Sequence, residues 1–189
     1  MILYFHKRDL RLFDNEALHR AVSLSMQENI PLLPLMGLEK DLIENKDTAY
    51  EFSEFQQYGS LSAILPLFHN YMYYGVSPLL FHESVISVLQ KIYKKEKIHY
   101  LISHEEAGTY GTYTRDKRIK KFCLENSIVY IELPHNGIVR KLQSRDVWGK
   151  QVKEYVSART LPIPPLRTVK GVSLQKEFDV DKVLTTLQT

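Results

Sequence analysis

The chain has 189 residues, 44% of them hydrophobic and 25% charged, with a formal net charge of +3; that is enough for one ordinary domain with a real core and a tail. Its single cysteine, Cys123, excludes an internal disulfide and a zinc site built on thiolates. No apolar run reaches membrane-span length and charge arrives by His6 to Arg8, so a cytoplasmic protein with no membrane partner and no secretory leader is expected.

Ile2-Leu3-Tyr4-Phe5 is short, apolar and β-prone, as a strand buried on both faces should be. Charge follows abruptly in Lys7, Arg8, Asp9 and Arg11. Asp14-Asn15-Glu16 reads as a helix start, with Asp14 placed to accept from the opening N–H groups. Leu18, Ala21, Val22 and Ser25 then recur at helical spacing to about Glu28. Ile30 to Gly37 is a second strand, whose Pro31 and Pro34 predict an exposed or irregular position because each removes a ladder donor. Asp41 to Asp47 is polar and turn-like.

From Thr48 to about Tyr74 the spacing predicts a helix with Phe52, Phe55, Gly59, Ser62 and Ala63 on one face, kinked or ended by Pro66. Pro78 to His82 is a third strand. The helix opened by Glu83-Ser84 carries Val85, Val88, Leu89 and Ile92, the cleanest amphipathic pattern in the chain. Lys91, Lys94, Lys95 and Lys97 read as its solvated, dipole-matched end. Ile98 to Ser103 is strand four, Arg115 to Asn126 a helix with Ile119, Phe122 and Cys123 facing inward, and Ile128 to Leu133 strand five. Strands alternating with crossover helices predict an α/β fold: a five-stranded parallel, Rossmann-like sheet with helices on both faces, a three-layer sandwich. There is neither a Walker loop nor a GxGxxG run.

In open parallel sheets ligands gather beyond the carboxyl ends of the strands. Here the ends of strands one, two and four present Lys7, Arg8 and Asp9, then Met36, Leu38 and Glu39, then His104, Glu105 and Glu106. Glu39 and Glu105 are expected at exposed strand ends. His104-Glu105-Glu106 reads as a solvated loop rather than a metal site, since adjacent residues rarely converge on one ion. Arg115 with Lys120 and Lys121 reads as an exposed helix face, and Tyr71, Tyr73 and Tyr74 as packing at a helix end.

The opening run from Phe5 to Leu18 resembles the signature of the DNA photolyase/cryptochrome family. The match runs through Lys7-Arg8, Asp9-Leu10-Arg11-Leu12, Asp14-Asn15 and Ala17-Leu18, with His6 where the family commonly has Phe. Ser103 to Gly108 followed by Thr112-Tyr113-Thr114-Arg115-Asp116 resembles the family's fourth-strand crossing. Pro134 to Arg140, Ser144-Arg145-Asp146 and Trp148 resemble one bacterial branch. The resemblance covers residues 1–159 and implies the family's N-terminal domain. Residues 160–189, with Pro162, Pro164 and Pro165, are then a linker and the start of a missing helical FAD-binding domain, with Trp148 an interface anchor.

The resemblance implies an antenna-chromophore domain of a light-dependent DNA photolyase. The full-length protein would repair cyclobutane pyrimidine dimers in damaged DNA with FAD, whereas residues 1–189 alone would catalyse nothing. The cofactor-binding candidates are Lys7, Arg8, Asp9, Met36, Glu39, His104, Glu105 and Glu106, around an antenna of deazaflavin, FMN or lumazine type. A folate antenna is disfavoured, because Gly111-Thr112 stands where folate-binding members carry Asn-Glu. The alternatives are a cryptochrome-like blue-light photoreceptor domain and a stand-alone nucleotide-binding α/β module.

Overall fold

A computed structural model describes residues 1–43, 54–135 and 144–172, with positions 174, 178, 183 and 185. Five strands form one sheet: β1 (Ile2–Phe5), β2 (Leu32–Gly37), β3 (Leu79–Phe81), β4 (Tyr100–His104) and β5 (Val129–Leu133). Their order is β3-β2-β1-β4-β5 and every pairing is parallel. The α/β architecture read from the alternating pattern is therefore the observed one. The helices are α1 (Glu16–Glu28), α2 (Lys40–Ile43), α3 (Glu54–Tyr73), α4 (Val85–Tyr93), α5 (Tyr110–Glu125) and α6 (Arg145–Ser157).

Right-handed crossovers place the connections of β1, β2 and β3 on one face and those leading to β4 and β5 on the other. Side chains along β1 agree with this. Tyr4 meets Asn15 at the start of α1 and His6 meets Tyr71 of α3, whereas Phe5, pointing the other way, lies under the Arg115 guanidinium of α5 at 5.7 Å. The reversal of strand order falls between β1 and β4, so the loops after these two strands diverge and leave a crevice.

Several local expectations need correction. Asn15, not Asp14, caps α1, its side chain accepting from Leu18 N–H at 2.9 Å. Asp14 instead adopts φ +50 and its carboxylate accepts from Leu161 N–H at 3.2 Å. Strand β2 is interior and regular despite Pro34. Leu35 C=O accepts from His6 N–H, so Pro34 faces the β3 side, where pairing begins only at Leu35↔Leu79; the missing donor falls below the first residue of β3. Just before it, Leu32 N–H donates to Lys170 C=O at 2.8 Å, so the C-terminal tail covers that edge.

Pro66 sits inside α3 without ending it. The core-facing residues there are Ile64, Leu67, Phe68 and Tyr71, while Gly59 and Ser62 are exposed. The expected helix start at Thr48 and Phe52, the side chain of Phe55, and Asn136 to Arg140 lie outside the described residues. Lys40 to Ile43 forms a short helix where a turn was expected. Leu18, Ala21, Val22 and Ser25 of α1, Val85, Val88, Leu89 and Ile92 of α4, and Ile119, Phe122 and Cys123 of α5 are all buried, as their spacing requires. Burial pushes the Cys123 thiol up to about 12, which keeps it protonated and inert.

One glycine is fixed by close approach. A Cβ on Gly37, the last residue of β2, would stand 2.0 Å from the Phe81 carbonyl oxygen. Backbone cannot yield as a flexible side chain can, so Gly37→Ala is expected to destabilise the protein by about 2 kcal/mol or more through displacement of β3. A urea titration that left the midpoint unchanged would contradict that packing.

Candidate functional site

The loop from β1 to α1 is built on Asp9. Its Oδ2 accepts from Asn15 Nδ2 at 3.1 Å, from His104 Nδ1 at 2.9 Å and from the Tyr4 hydroxyl, and its Oδ1 accepts from Lys7 N–H at 3.0 Å. His104 Nε2 accepts from Ala17 N–H at 3.3 Å, which leaves the ring proton on Nδ1, pointing at Asp9. Burial acts to raise the Asp9 pKa, but the hydrogen bond from His104 and the nearby His6 and Tyr4 hold it well below the usual carboxylate range.

His6 donates from Nδ1 to the Asp9 carbonyl at 2.9 Å and accepts at Nε2 from the Tyr71 hydroxyl at 2.7 Å. That pattern suits the neutral ring, and burial lowers its pKa accordingly. The His6 position is thus a hydrogen-bonded bridge from β1 to α3. The expectation of a solvated His104-Glu105-Glu106 loop fails at two of its three residues, because His104 and Glu106 are buried, while Glu105 is half-buried.

A second buried set joins the ends of four elements. Arg115 lies in the second turn of α5, which begins at Tyr110 rather than at Arg115 as the spacing suggested. It reaches Glu39 after β2 at 2.5 Å, Glu106 after β4 at 2.6 Å and Asp116 at 2.8 Å. Lys7 bridges Asp116 and Glu132 of β5, both at 3.1 Å, and Lys120 reaches Glu132 at 2.6 Å. Arg8 joins the set through Glu106 at 2.6 Å. Arg115 is 6% exposed and Glu39 9%, so neither the exposed helix face expected for Arg115 nor the exposed strand end expected for Glu39 is observed. Burial raises the Glu39 pKa despite its Arg115 partner, because three carboxylates share that one guanidinium. At Glu132 burial also works upward, and Lys7 and Lys120 more than offset it.

Above these groups lies a cavity of about 520 Å³. Leu10, Leu38, Leu42, Ile43, Ala63 and Ile64 supply apolar wall, and Lys7, Arg8, Arg11, Glu39, Glu106 and Arg115 supply polar edge. A smaller cavity of about 170 Å³, between the ends of β1 and β4, is lined by Lys7, Arg8, Asp9, His104, Glu105 and Glu106 together with His135. Of the sequence candidates, Lys7, Arg8, Glu39 and Glu106 therefore meet at the larger cavity. Asp9, His104 and Glu105 meet at the smaller one, and Met36 is buried within β2 and lines neither. No group of three or more His, Cys, Asp or Glu among the described residues could hold a metal ion.

Sequence reasoning missed Arg115, Asp116 and Glu132 as parts of the site. The signal for Glu132 was a charge inside the apolar run of β5; for Arg115 it was a motif position assigned to solvent.

The family model described as DNA photolyase matches residues 2–151. The chain belongs to the DNA photolyase family. Solved structures agree at the level of fold. An archaeal photolyase from Sulfolobus tokodaii, described with two FAD molecules and a novel light-harvesting cofactor, superposes with a TM-score of 0.72 at 19% identity over 100% of this chain. A class III photolyase from Agrobacterium tumefaciens gives 0.65 at 15% over 92%, and a Synechocystis cryptochrome 0.67 at 14% over 94%. This photolyase-family chain spans 41%, 35% and 40% of those three chains. No curated protein matches it. No helix among the described residues is long and apolar enough to cross a membrane.

Proposed function

We propose that residues 1–159 are the antenna domain of a light-dependent DNA photolyase, holding a chromophore of deazaflavin, FMN or lumazine type in the larger cavity. On this reading the chain from residue 160 leads to a helical domain that carries FAD and meets damaged DNA. The observation that carries the proposal is the cavity of about 520 Å³ itself, of a size that suits an organic cofactor. A flat heteroaromatic ring needs apolar surface against its faces and hydrogen-bonding groups around its edge. Leu10, Leu38, Leu42 and Ile43 supply the first, and Arg8, Glu39, Glu106 and Arg115 the second. When bound, such a chromophore absorbs blue or near-ultraviolet light and passes the excitation to the flavin. The protein's own share is to hold the ring, exclude water and fix its orientation.

The hydrogen bonding of α1 disfavours a stand-alone nucleotide-binding module. In such folds the phosphate sits on the N–H groups opening the first helix, but here Ala17 N–H is given to His104 and Leu18 N–H to Asn15. A cryptochrome-like photoreceptor would share this domain, and light-dependent splitting of pyrimidine dimers by the full-length protein separates the two roles.

The test is absorption and gel filtration of the purified domain after incubation with FMN, a deazaflavin and a dimethyl-lumazine. A shifted band that travels with the protein is expected. Ala63→Trp, which fills the cavity from α3, is expected to weaken uptake by about tenfold or more with the fold retained. Failure of all three compounds to bind would overturn the reading.

A further inference from the structure

The tail from Leu161 to Gly171 joins two places that the sheet holds apart. Its start meets the β1–α1 loop, beyond the carboxyl end of β1. There Asp14 N–H donates to the Leu161 carbonyl at 2.9 Å and Leu161 N–H donates back to the Asp14 carboxylate at 3.2 Å. His19 Nε2, in the first turn of α1, donates to the Pro162 carbonyl at 2.5 Å. Its end meets the amino end of β2, where Leu32 N–H donates to the Lys170 carbonyl at 2.8 Å and Leu32 forms a parallel bridge with Gly171. Between these ends Pro164 and Leu166 are buried, Leu166 with 1% exposure. The Arg167 guanidinium lies over the rings of Tyr73 at 5.3 Å and Tyr74 at 5.8 Å, and the Thr168 hydroxyl donates to Met26 Sδ at 3.4 Å. The tail is thus anchored on α1, on the end of α3 and on β2.

Asp14 is where this anchoring reaches the larger cavity. With φ +50 it occupies the left-handed region, which a residue with a side chain enters only at a cost. Such a conformation persists when its surroundings over-determine it. Two of its hydrogen bonds come from Leu161, and a third comes from Arg11 Nε, which donates to the Asp14 carbonyl at 3.1 Å. Arg11 lines the larger cavity. Its own carbonyl accepts from the side chain of Asn15, the residue that caps α1, at 2.8 Å. The buried Asp9 network therefore fixes the first half of the loop, and the tail fixes the second. Of the two, only the tail contact is open to solvent, since Pro162, Ile163 and Pro165 are exposed.

We propose that residues 161–171 form a clasp that sets the conformation of the β1–α1 loop, with Leu166 as its anchor and Asp14 as the residue through which it positions Arg11 at the mouth of the larger cavity. Undocking the clasp releases the loop and leaves the sheet intact. The inference holds whatever molecule fills the cavity, so it stands apart from the antenna reading.

Amide hydrogen exchange of the full chain tests it, because Asp14 N–H and Leu32 N–H are bonded to opposite ends of the clasp. Leu166→Asp sets a charge in an apolar site and should undock the tail. The Asp14, Leu32 and Arg11 amides are then expected to exchange at least about tenfold faster, while those of Leu3 in β1 and Leu101 in β4 keep the parent protection. Leu166→Ala, a smaller perturbation that keeps the fold, should give the same pattern with a smaller change in rate. Faster exchange at Leu32 with Asp14 and Arg11 unchanged would overturn the proposal, since the loop would then hold its shape without the tail. Equal loss of protection in β1 and β4 in the alanine variant would also overturn it, by making the tail ordinary core packing with no separable motion.

Discussion

Replacing Arg115 by leucine is expected to lower stability by about 3–5 kcal/mol, which for a domain of this size corresponds to a fall in melting temperature of roughly 6–20 °C. The cause is not the loss of an ion pair as such. A buried ion pair barely repays the desolvation of its members, but removing one partner leaves the other charge stranded in a poor solvent. Here one guanidinium neutralises Glu39, Glu106 and Asp116, so the leucine variant would leave three buried carboxylates without the cation they share.

That origin has a pH signature. Stranded carboxylates have folded-state pKa values raised above their unfolded ones, so the variant regains stability as pH falls through those raised values. The gap between parent and Arg115→Leu, measured by urea unfolding, should therefore be widest at neutral pH and narrower near pH ~5. Arg115→Lys should fall between the two, since a point charge satisfies fewer oxygens than the planar fork. A loss below about 1 kcal/mol at neutral pH would show that the strand ends are held by something else.

Asp9→Asn is the second large effect, expected at about 2–4 kcal/mol although the two side chains are nearly isosteric. Asp9 accepts on both oxygens: Tyr4, His104 and Asn15 converge on Oδ2, and Lys7 N–H meets Oδ1. An asparagine offers one acceptor and one NH2 group, so in either orientation a donor faces a donor. The linkage follows from the depressed pKa of Asp9. Its contribution is fully present above the unfolded carboxylate value of about 3.9 and is lost as pH falls from there toward the lower folded value. The acid limb of the stability curve should accordingly be shallower in Asp9→Asn by up to about one proton. Parallel acid limbs in the two proteins would show that Asp9 carries no ionised role in the fold.

The helices α1, α4 and α5 could be read from spacing because an amphipathic stripe is a local property, visible in Val85, Val88, Leu89 and Ile92 without knowledge of what they cover. The helix α3 resisted the same reading, since it is apolar around much of its circumference and only packing selects Ile64, Leu67, Phe68 and Tyr71 for the core. Pro34 was misleading for a related reason. Whether a missing N–H matters depends on what lies beside it, and nothing near Pro34 in the sequence tells that β3 starts one position later in register.

Sequence by itself determined the family signature of the first loop, the alternation that makes a parallel sheet, and the strand ends where Lys7, Arg8, Glu39 and Glu106 would be found. These depend on neighbours along the chain. Only the tertiary structure decided which charges are buried and with whom. The partners of Arg115 include Glu39, 76 residues away, and those of Lys7 include Glu132, 125 residues away. Burial turned Arg115 into part of the charge-compensated floor of a cavity, while Lys120 and Lys121 of the same helix stay exposed as their spacing suggested, because the ends of β1, β2, β4 and β5 meet only once the sheet has formed and removed the side chains between them from water.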